Sequence, residues 1–213
     1  MSDLTEDFGP QYISPHFTVE KISPGTFTDW VDVWEDRLWG WWLAHADALR
    51  GQQHAAFMMV HIAVGVIETL EVAWQGKDSE GHSARFFHDG FLRVFAPEKP
   101  GGVAPPDVAN IIYKAVRCGL THTTMLKGPV FLVDDERIGP LQLRSSSRGV
   151  EQVVINPAKF VEVVITWFRR YVHALREVQG PAADERRKRF ADAWHTLHAR
   201  PLPRPAARAV AVQ

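Results

Sequence analysis

The sequence has a single cysteine, Cys118, and none of the common spaced motifs for metals or nucleotides. One cysteine excludes an internal disulfide and is typical of proteins in a reducing compartment. The zinc spacing H-E-x-x-H, a glycine-rich phosphate loop and the nucleophile elbow G-x-S-x-G are all missing from the sequence. We therefore predict neither a metal site nor a cofactor.

The chain also lacks an excess of charge of either sign. Its 213 residues carry 24 Lys and Arg against 25 Asp and Glu, which gives a formal net charge of −1. That balance argues against a surface built for non-specific nucleic-acid binding, but it is compatible with a local basic groove. The first residues show no secretory pattern, and no apolar run approaches the roughly 20 residues that span a bilayer. We expect a soluble, cytoplasmic protein.

Apolar residues at helical spacing dominate the first half of the chain. The hydrophobic fraction of 46% is enough for one good core. Thr26 and Asp29 are spaced as a capping pair, and the tryptophans that follow them predict an amphipathic helix with an aromatic core stripe. The periodic segments predict four successive helices, at about residues 26–50, 54–74, 83–95 and 105–128. The second is apolar nearly all round, which predicts a central buried helix.

The hydrophobic period changes after residue 128. The runs PVFLV, PLQLR and EQVVIN predict two or three short strands within about residues 129–155. Asn156 followed by Pro157 is typical of a helix start, and a charged segment beyond it predicts a last helix. The predicted fold is mainly α, a bundle of four to six helices with a small β insert. We assign an irregular arm to residues 1–24, one domain to 25–198 and a disordered tail to 199–213.

One segment, YKAVRCGLTH, combines side chains suited to phosphate chemistry. Arg117 offers a planar, permanently charged fork, and His122, after four intervening residues, offers a group that transfers protons near neutral pH. On a straight helix the two side chains point about 140° apart. They can serve one phosphate only if the helix loosens after Gly119, or if a second subunit supplies the matching half. The alternative is a partly buried His122 bound to a carbonyl and a surface Arg117.

The same string resembles the signature of the HEPN superfamily, whose helical bundles carry an arginine, four to six residues and then a histidine. The order of two long helices, the VRCGLTH segment, short strands and a long helix is similar over roughly residues 26–178. The resemblance implies a metal-independent endoribonuclease, related to toxins or defence, with Arg117 clamping the phosphate and His122 transferring protons at a dimer cleft. Two positions depart from the pattern, because Cys118 replaces a polar residue and Thr124 replaces an aromatic one.

Several neighbours of the pair are candidates for supporting roles or for contacts with RNA. The supporting candidates are Tyr113, Cys118, Thr121 and Glu68, and the RNA-binding candidates are Lys114 and Lys127. The resemblance implies a homodimer, RNA as substrate, and an antitoxin or another protein as partner, whereas the lack of a long apolar run predicts no membrane partner. Two alternatives stay open: a non-catalytic HEPN-fold module that binds a protein, RNA or a nucleotide, and a structural dimer without a ligand.

Two further groups of charged residues have a simpler interpretation. The basic run ERRKRF, with Arg186 to Arg189, is either a solvated helix face or a set of phosphate contacts, and we favour the solvated face. His54 and His61 lie near the carboxylates Glu68 and Glu71 in the apolar second helix. A metal pair there would lack a recognised ligand spacing, so we interpret these residues as structural.

Overall fold

The computed structural model describes residues 11–95, 105–146, 149–177 and 179–198. Six helices and one small sheet form within these ranges, so the predicted mainly α fold with a small β insert is confirmed. The segment predicted as a disordered tail, 199–213, and the first ten residues of the predicted arm lie outside the described residues. The rest of the arm contains a bridge between Tyr12 and Thr18 and a 3₁₀ turn, Val19–Ile22.

Two of the six helices in the described ranges contain a π-helical part. In chain order the helices are α1 (Phe27–Leu38, a π-helical turn Trp39–Leu43, then Ala44–Ala48), α2 (Ala56–Gln75), α3 (Ser83–Phe95), α4 (Pro105–Ile111, a π-helical segment Ile112–Arg117, then Cys118–Thr123), α5 (Pro157–Arg176) and α6 (Pro181–His198).

Helix α1 starts as predicted but changes its winding midway. Thr26 and Asp29 form a capping box, in which each side chain bonds the other residue's backbone N–H. The wider π turn Trp39–Leu43 then shifts the angular position of the residues in it. Trp41 and Trp42 are consequently 44% and 45% exposed. Their predicted place in the core stripe is wrong, because that stripe assumed uninterrupted α-helical spacing.

Helix α2 is the central helix of the bundle, as its all-round apolar sequence predicts. More than half of its residues are buried, and it packs against α1, α3, α4, α5 and α6. It is also long and apolar enough to cross a membrane by length and composition, contrary to our reading of the sequence, with 61% of the apolar window buried inside the fold. A central core helix passes the same test, because both environments favour apolar side chains on every face.

Helices α2 and α3 cross in close contact at Gly90. A Cβ atom at this position would lie 2.8 Å from the carbonyl oxygen of Ile67 and 3.0 Å from the Cβ of Glu71. The crossing brings Arg93 over Glu71, which is fully buried and accepts hydrogen bonds from Arg93 Nε at 2.7 Å and Nη2 at 2.9 Å. Gln75 Nε2 donates a third hydrogen bond to this carboxylate at 2.8 Å.

The insert is a three-stranded sheet that packs into the main core. Its strands are β1 (Val130–Leu132), β2 (Leu141–Ser146) and β3 (Gly149–Ile155). Strand β3 lies in the middle, parallel to β1 and antiparallel to β2, so Val153 pairs with both Val130 and Leu143. All three side chains are buried in the main core. The sheet is therefore part of the same hydrophobic core as the helices.

Helix α5 begins at the predicted cap directly after β3. The Asn156 side chain accepts a hydrogen bond from Lys159 N at 3.0 Å and donates one to the Asp135 carbonyl at 2.8 Å. The first bond satisfies an N–H group in the opening turn of the helix, and the second ties the loop before β2 to the same residue. Asn156 thus joins the insert to the bundle.

Candidate functional site

The local winding of α4 sets the position of Arg117. In the segment Ile112–Arg117 the chain follows a π helix, and the Cys118 N–H donates to the carbonyl of Tyr113, five residues back. Of the two conditions under which Arg117 and His122 could serve one phosphate, loosening of the helix after Gly119 is not met. The widening precedes Arg117, and α-helical spacing resumes at Cys118. Gly119 has another reason to be glycine, because a Cβ there would lie 2.5 Å from the carbonyl oxygen of Met125.

The Arg117 guanidinium lies at the junction of α2, α3 and α4. Its Nη2 atom is 3.2 Å from Glu68 Oε2 and 3.3 Å from Ser83 Oγ. The Ser83 hydroxyl donates to the same Glu68 oxygen at 2.6 Å. The side chains of Arg117 and Glu68 are 27% and 16% exposed, so the ion pair is partly desolvated but open to solvent on one side. Three helices therefore fix one cation near the surface.

Tyr113 forms the apolar wall of this junction. Its ring lies 5.7 Å from the guanidinium carbon of Arg117 and 5.4 Å from the Phe87 ring. Burial raises the pKa of the Tyr113 phenol, and the neighbouring Cys118 adds to the effect. Hydrogen bonding to Ser83 and the charge of Arg117 act in the opposite direction and are outweighed. The phenol is thus protonated at neutral pH.

His88, which our sequence reasoning did not select, borders the same junction. Its ring contacts Tyr113 edge-on at 5.8 Å, and its Nε2 atom is buried without a hydrogen-bond partner among the described residues. Ser83 was missed as well. A serine at the start of an apolar periodic segment is read first as a helix cap, and no spacing in the sequence reveals that α3 crosses α2 near Glu68.

His122 lies on another side of α4. Its side chain is exposed, and no hydrogen bond or ion pair between described residues joins it to Arg117. Because the chain from Arg117 to His122 keeps α-helical spacing, the two side chains still point about 140° apart. The interpretation of His122 as a buried, carbonyl-bound residue is wrong, because its side chain is exposed, whereas Arg117 lies near the surface but is paired with Glu68. Lys114 and Thr121 on α4 and Lys127 after it are also exposed. No hydrogen bond or ion pair between described residues connects them to Arg117 or Glu68.

Comparisons with protein-family models, curated proteins and solved structures found no match for this chain. The function must therefore be argued from the site itself.

An apolar surface adjoins the end of α4. Phe57 and Met58 at the start of α2 are 48% and 57% exposed, and Met125 after α4 is 65% exposed. A shallow groove of about 220 Å³ lies here, lined by Phe57, Met58, His61, Leu120 and Thr124. Large apolar side chains grouped in this way are typical of a contact surface. His61 thus faces this groove.

Within one chain, the arrangement supplies one anion-binding group and one separate proton-transfer group. Glu68 and Arg117 come together, with Tyr113 beside them, whereas Glu71 pairs with Arg93 instead. Among the described residues, no three His, Cys, Asp or Glu side chains are grouped as metal ligands. Phosphodiester transfer needs an acid and a base, and at this end of α4 one chain supplies the single exposed imidazole of His122.

Proposed function

We propose that the chain is a cytoplasmic, metal-independent endoribonuclease of the HEPN type that works as a homodimer. The observation that carries the proposal is the anchoring of Arg117 by Glu68 and Ser83, five residues before an exposed His122. A cation held by three helices is pre-organised for a crowded phosphate, which favours charge stabilisation in the transition state. The exposed imidazole is accessible to a bound strand and to a second copy.

The reaction uses only groups of the RNA and of the two chains. The ribose 2′-oxygen attacks the adjacent phosphorus and loses its proton to one His122 imidazole. The bond between phosphorus and the 5′-oxygen breaks, and that oxygen takes a proton from the protonated His122 of the second copy. The products are a 2′,3′-cyclic phosphate and a free 5′-hydroxyl. Arg117 stabilises the negative charge on the non-bridging oxygens throughout.

The apolar surface beside α4 supports a two-fold assembly. Phe57, Met58 and Met125 flank the end of the helix that carries His122. An isologous contact there buries the same patch on both copies and brings the two α4 ends together. Such a dimer would supply the second imidazole, which the geometry of one chain does not.

The test is cleavage of end-labelled RNA in the presence of EDTA. We expect the wild-type protein to cleave, and His122→Ala and Arg117→Ala to lose about 10²-fold or more in rate. His173→Ala, an exposed histidine on α5, is the matched control and should keep full activity. Wild-type preparations without cleavage, or equal loss in all three variants, would remove the catalytic proposal.

A non-catalytic RNA- or protein-binding module is the second candidate. The ion pair with Glu68 favours it, because it offsets the charge of Arg117 before any phosphate arrives. The variant Glu68→Gln separates the two functions. In a nuclease it loosens the anchored guanidinium and lowers the cleavage rate, whereas in a binding module it frees the cation and tightens RNA binding without any cleavage. Filter binding and the cleavage assay on the same preparations measure both.

A further inference from the structure

Three arginines surround the indole ring of Trp74 at the end of α2. Their guanidinium carbons lie over that ring at 4.4 Å for Arg93, 5.6 Å for Arg186 and 5.7 Å for Arg189. Trp167 of α5 packs against the same indole at 6.0 Å. The favoured interpretation of the basic run as a solvated face is thus wrong for Arg186 and Arg189, which are half-buried, and correct for the exposed Lys188.

The carboxylates paired with this cluster, Glu71 and Glu185, leave one of its three positive charges unmatched. Glu71 is taken by Arg93 through two short hydrogen bonds. Arg189 Nε is 3.7 Å from Glu185 Oε1, which is too long for a hydrogen bond. Asp89 accepts from Gln75 at 3.1 Å and lies 3.8 Å from the exposed Arg85.

The unmatched donors are buried. Arg186 Nε and Nη1 and Arg189 Nε have no hydrogen-bond partner among the described residues and are shielded from solvent. Tyr171 also borders the cluster, and burial raises the pKa of its phenol, so it adds no negative charge. Burying a guanidinium without an acceptor is costly, and stacking on an aromatic ring satisfies none of its N–H groups. The cluster therefore has the composition of an anion-binding site.

We propose that Arg93, Arg186 and Arg189 around Trp74 form a binding site for a phosphate group. Guanidinium forks match the spacing of phosphate oxygens and bind them through charge-assisted hydrogen bonds. The site goes beyond the proposed ribonuclease centre and does not depend on it. Trp74 follows Glu68 by six residues on α2, which turns it about 120° around the helix axis from the Arg117 junction.

The test measures phosphate binding by the full-length chain, in a buffer free of phosphate and sulfate. Titration calorimetry and the midpoint of thermal unfolding are recorded with inorganic phosphate, with AMP, and with a short RNA that lacks terminal phosphates. We expect saturable binding and a rise in the midpoint for the wild-type protein. Arg186→Gln should weaken binding about tenfold or more, whereas Lys188→Gln, the same charge change on the same helix, should alter it less than about threefold.

The three probes distinguish the sources of the phosphate. Binding of inorganic phosphate and AMP alone identifies a terminal phosphate, and binding of the short RNA that Arg186→Gln weakens identifies a phosphodiester. Arg186 lies outside the proposed ribonuclease centre, so Arg186→Gln should leave RNA cleavage unchanged, and failure of the nuclease proposal does not affect this one. If Arg186→Gln does not fold, as judged by circular dichroism, Arg189→Gln takes its place.

Two results overturn the proposal. One is the lack of saturable binding of every probe at millimolar concentration. The other is equal weakening by the cluster variant and by Lys188→Gln, which would show attraction to general surface charge rather than to a site.

Discussion

The buried ion pair between Glu71 and Arg93 allows a quantitative test of the α2–α3 contact. The change is Arg93→Met, which keeps much of the side-chain volume and removes the cation. Glu71 is 0% exposed and would keep only the hydrogen bond from Gln75. Removing one partner of a buried pair costs about 3–5 kcal/mol, because the other charge stays desolvated. For a chain of this size that loss corresponds to a fall of roughly 6–20 °C in the unfolding midpoint.

The chain provides a control ion pair with the same distance between its charged atoms but with more exposed carboxylates. Arg176 contacts Asp32 and Glu35 at 2.7 Å each, the same distance that joins Arg93 to Glu71. Arg93 and Arg176 are similarly exposed, at 31% and 35%, but the carboxylates facing Arg176 are 27% and 36% exposed. Exposed pairs contribute about 0.2–1 kcal/mol each, so Arg176→Met should cost far less than Arg93→Met.

The assay is urea unfolding in phosphate-free buffer, followed by circular dichroism. The double variant Glu71→Met with Arg93→Met should recover most of the lost stability, because removing both charges removes the desolvation cost as well. A cost for Arg93→Met no larger than that for Arg176→Met would refute the reasoning. So would a double variant less stable than Arg93→Met alone, since burial of the carboxylate would then not be the cause.

Three further changes probe the fold in the same assay. Gly90→Ala should lose about 1–3 kcal/mol of unfolding free energy, because its Cβ has no room beside the Ile67 carbonyl, and unchanged stability would contradict the close crossing. Asn156→Ala should lose about 0.5–2 kcal/mol with the α5 cap. Burial lowers the pKa of His198, which stacks on Trp194. Stability is therefore full above about pH 6.5 and declines as the pH falls towards the lowered folded value, and His198→Phe should flatten the wild-type decline between pH 7 and pH 5.

Local signals in the sequence were sufficient to predict structure where a residue type has one clear physical role, such as capping a helix. Thr26 with Asp29, and Asn156 before Pro157, predicted helix starts that the structure confirms, because capping depends on neighbours a few residues away. The end of α4 was predicted too late. Thr124 takes the left-handed conformation that closes the helix, with φ of 54°, and a threonine gives no sequence signal for it.

The candidate site depends on contacts between segments that are distant in sequence, and most of these contacts could not be predicted from the sequence. Glu68 was a candidate because a carboxylate in an apolar helix is unusual, but its link to Arg117 spans 49 residues. Ser83 carries no comparable signal, since its role exists only through the angle at which α3 crosses α2. The inward-facing Arg186 likewise looked like part of a charged surface, because no local pattern records that Trp74 lies beneath it.

The direction in which Arg117 points depends on the number of residues in the π-helical segment Ile112–Arg117. Such a segment holds one residue more than the α-helical turn it replaces. Deleting a single residue from it would restore regular winding and swing the guanidinium by about 100° away from its carboxylate, with every side chain of the junction still in the sequence. A change of one codon, rather than of any polar contact, would thus be enough to dismantle the site.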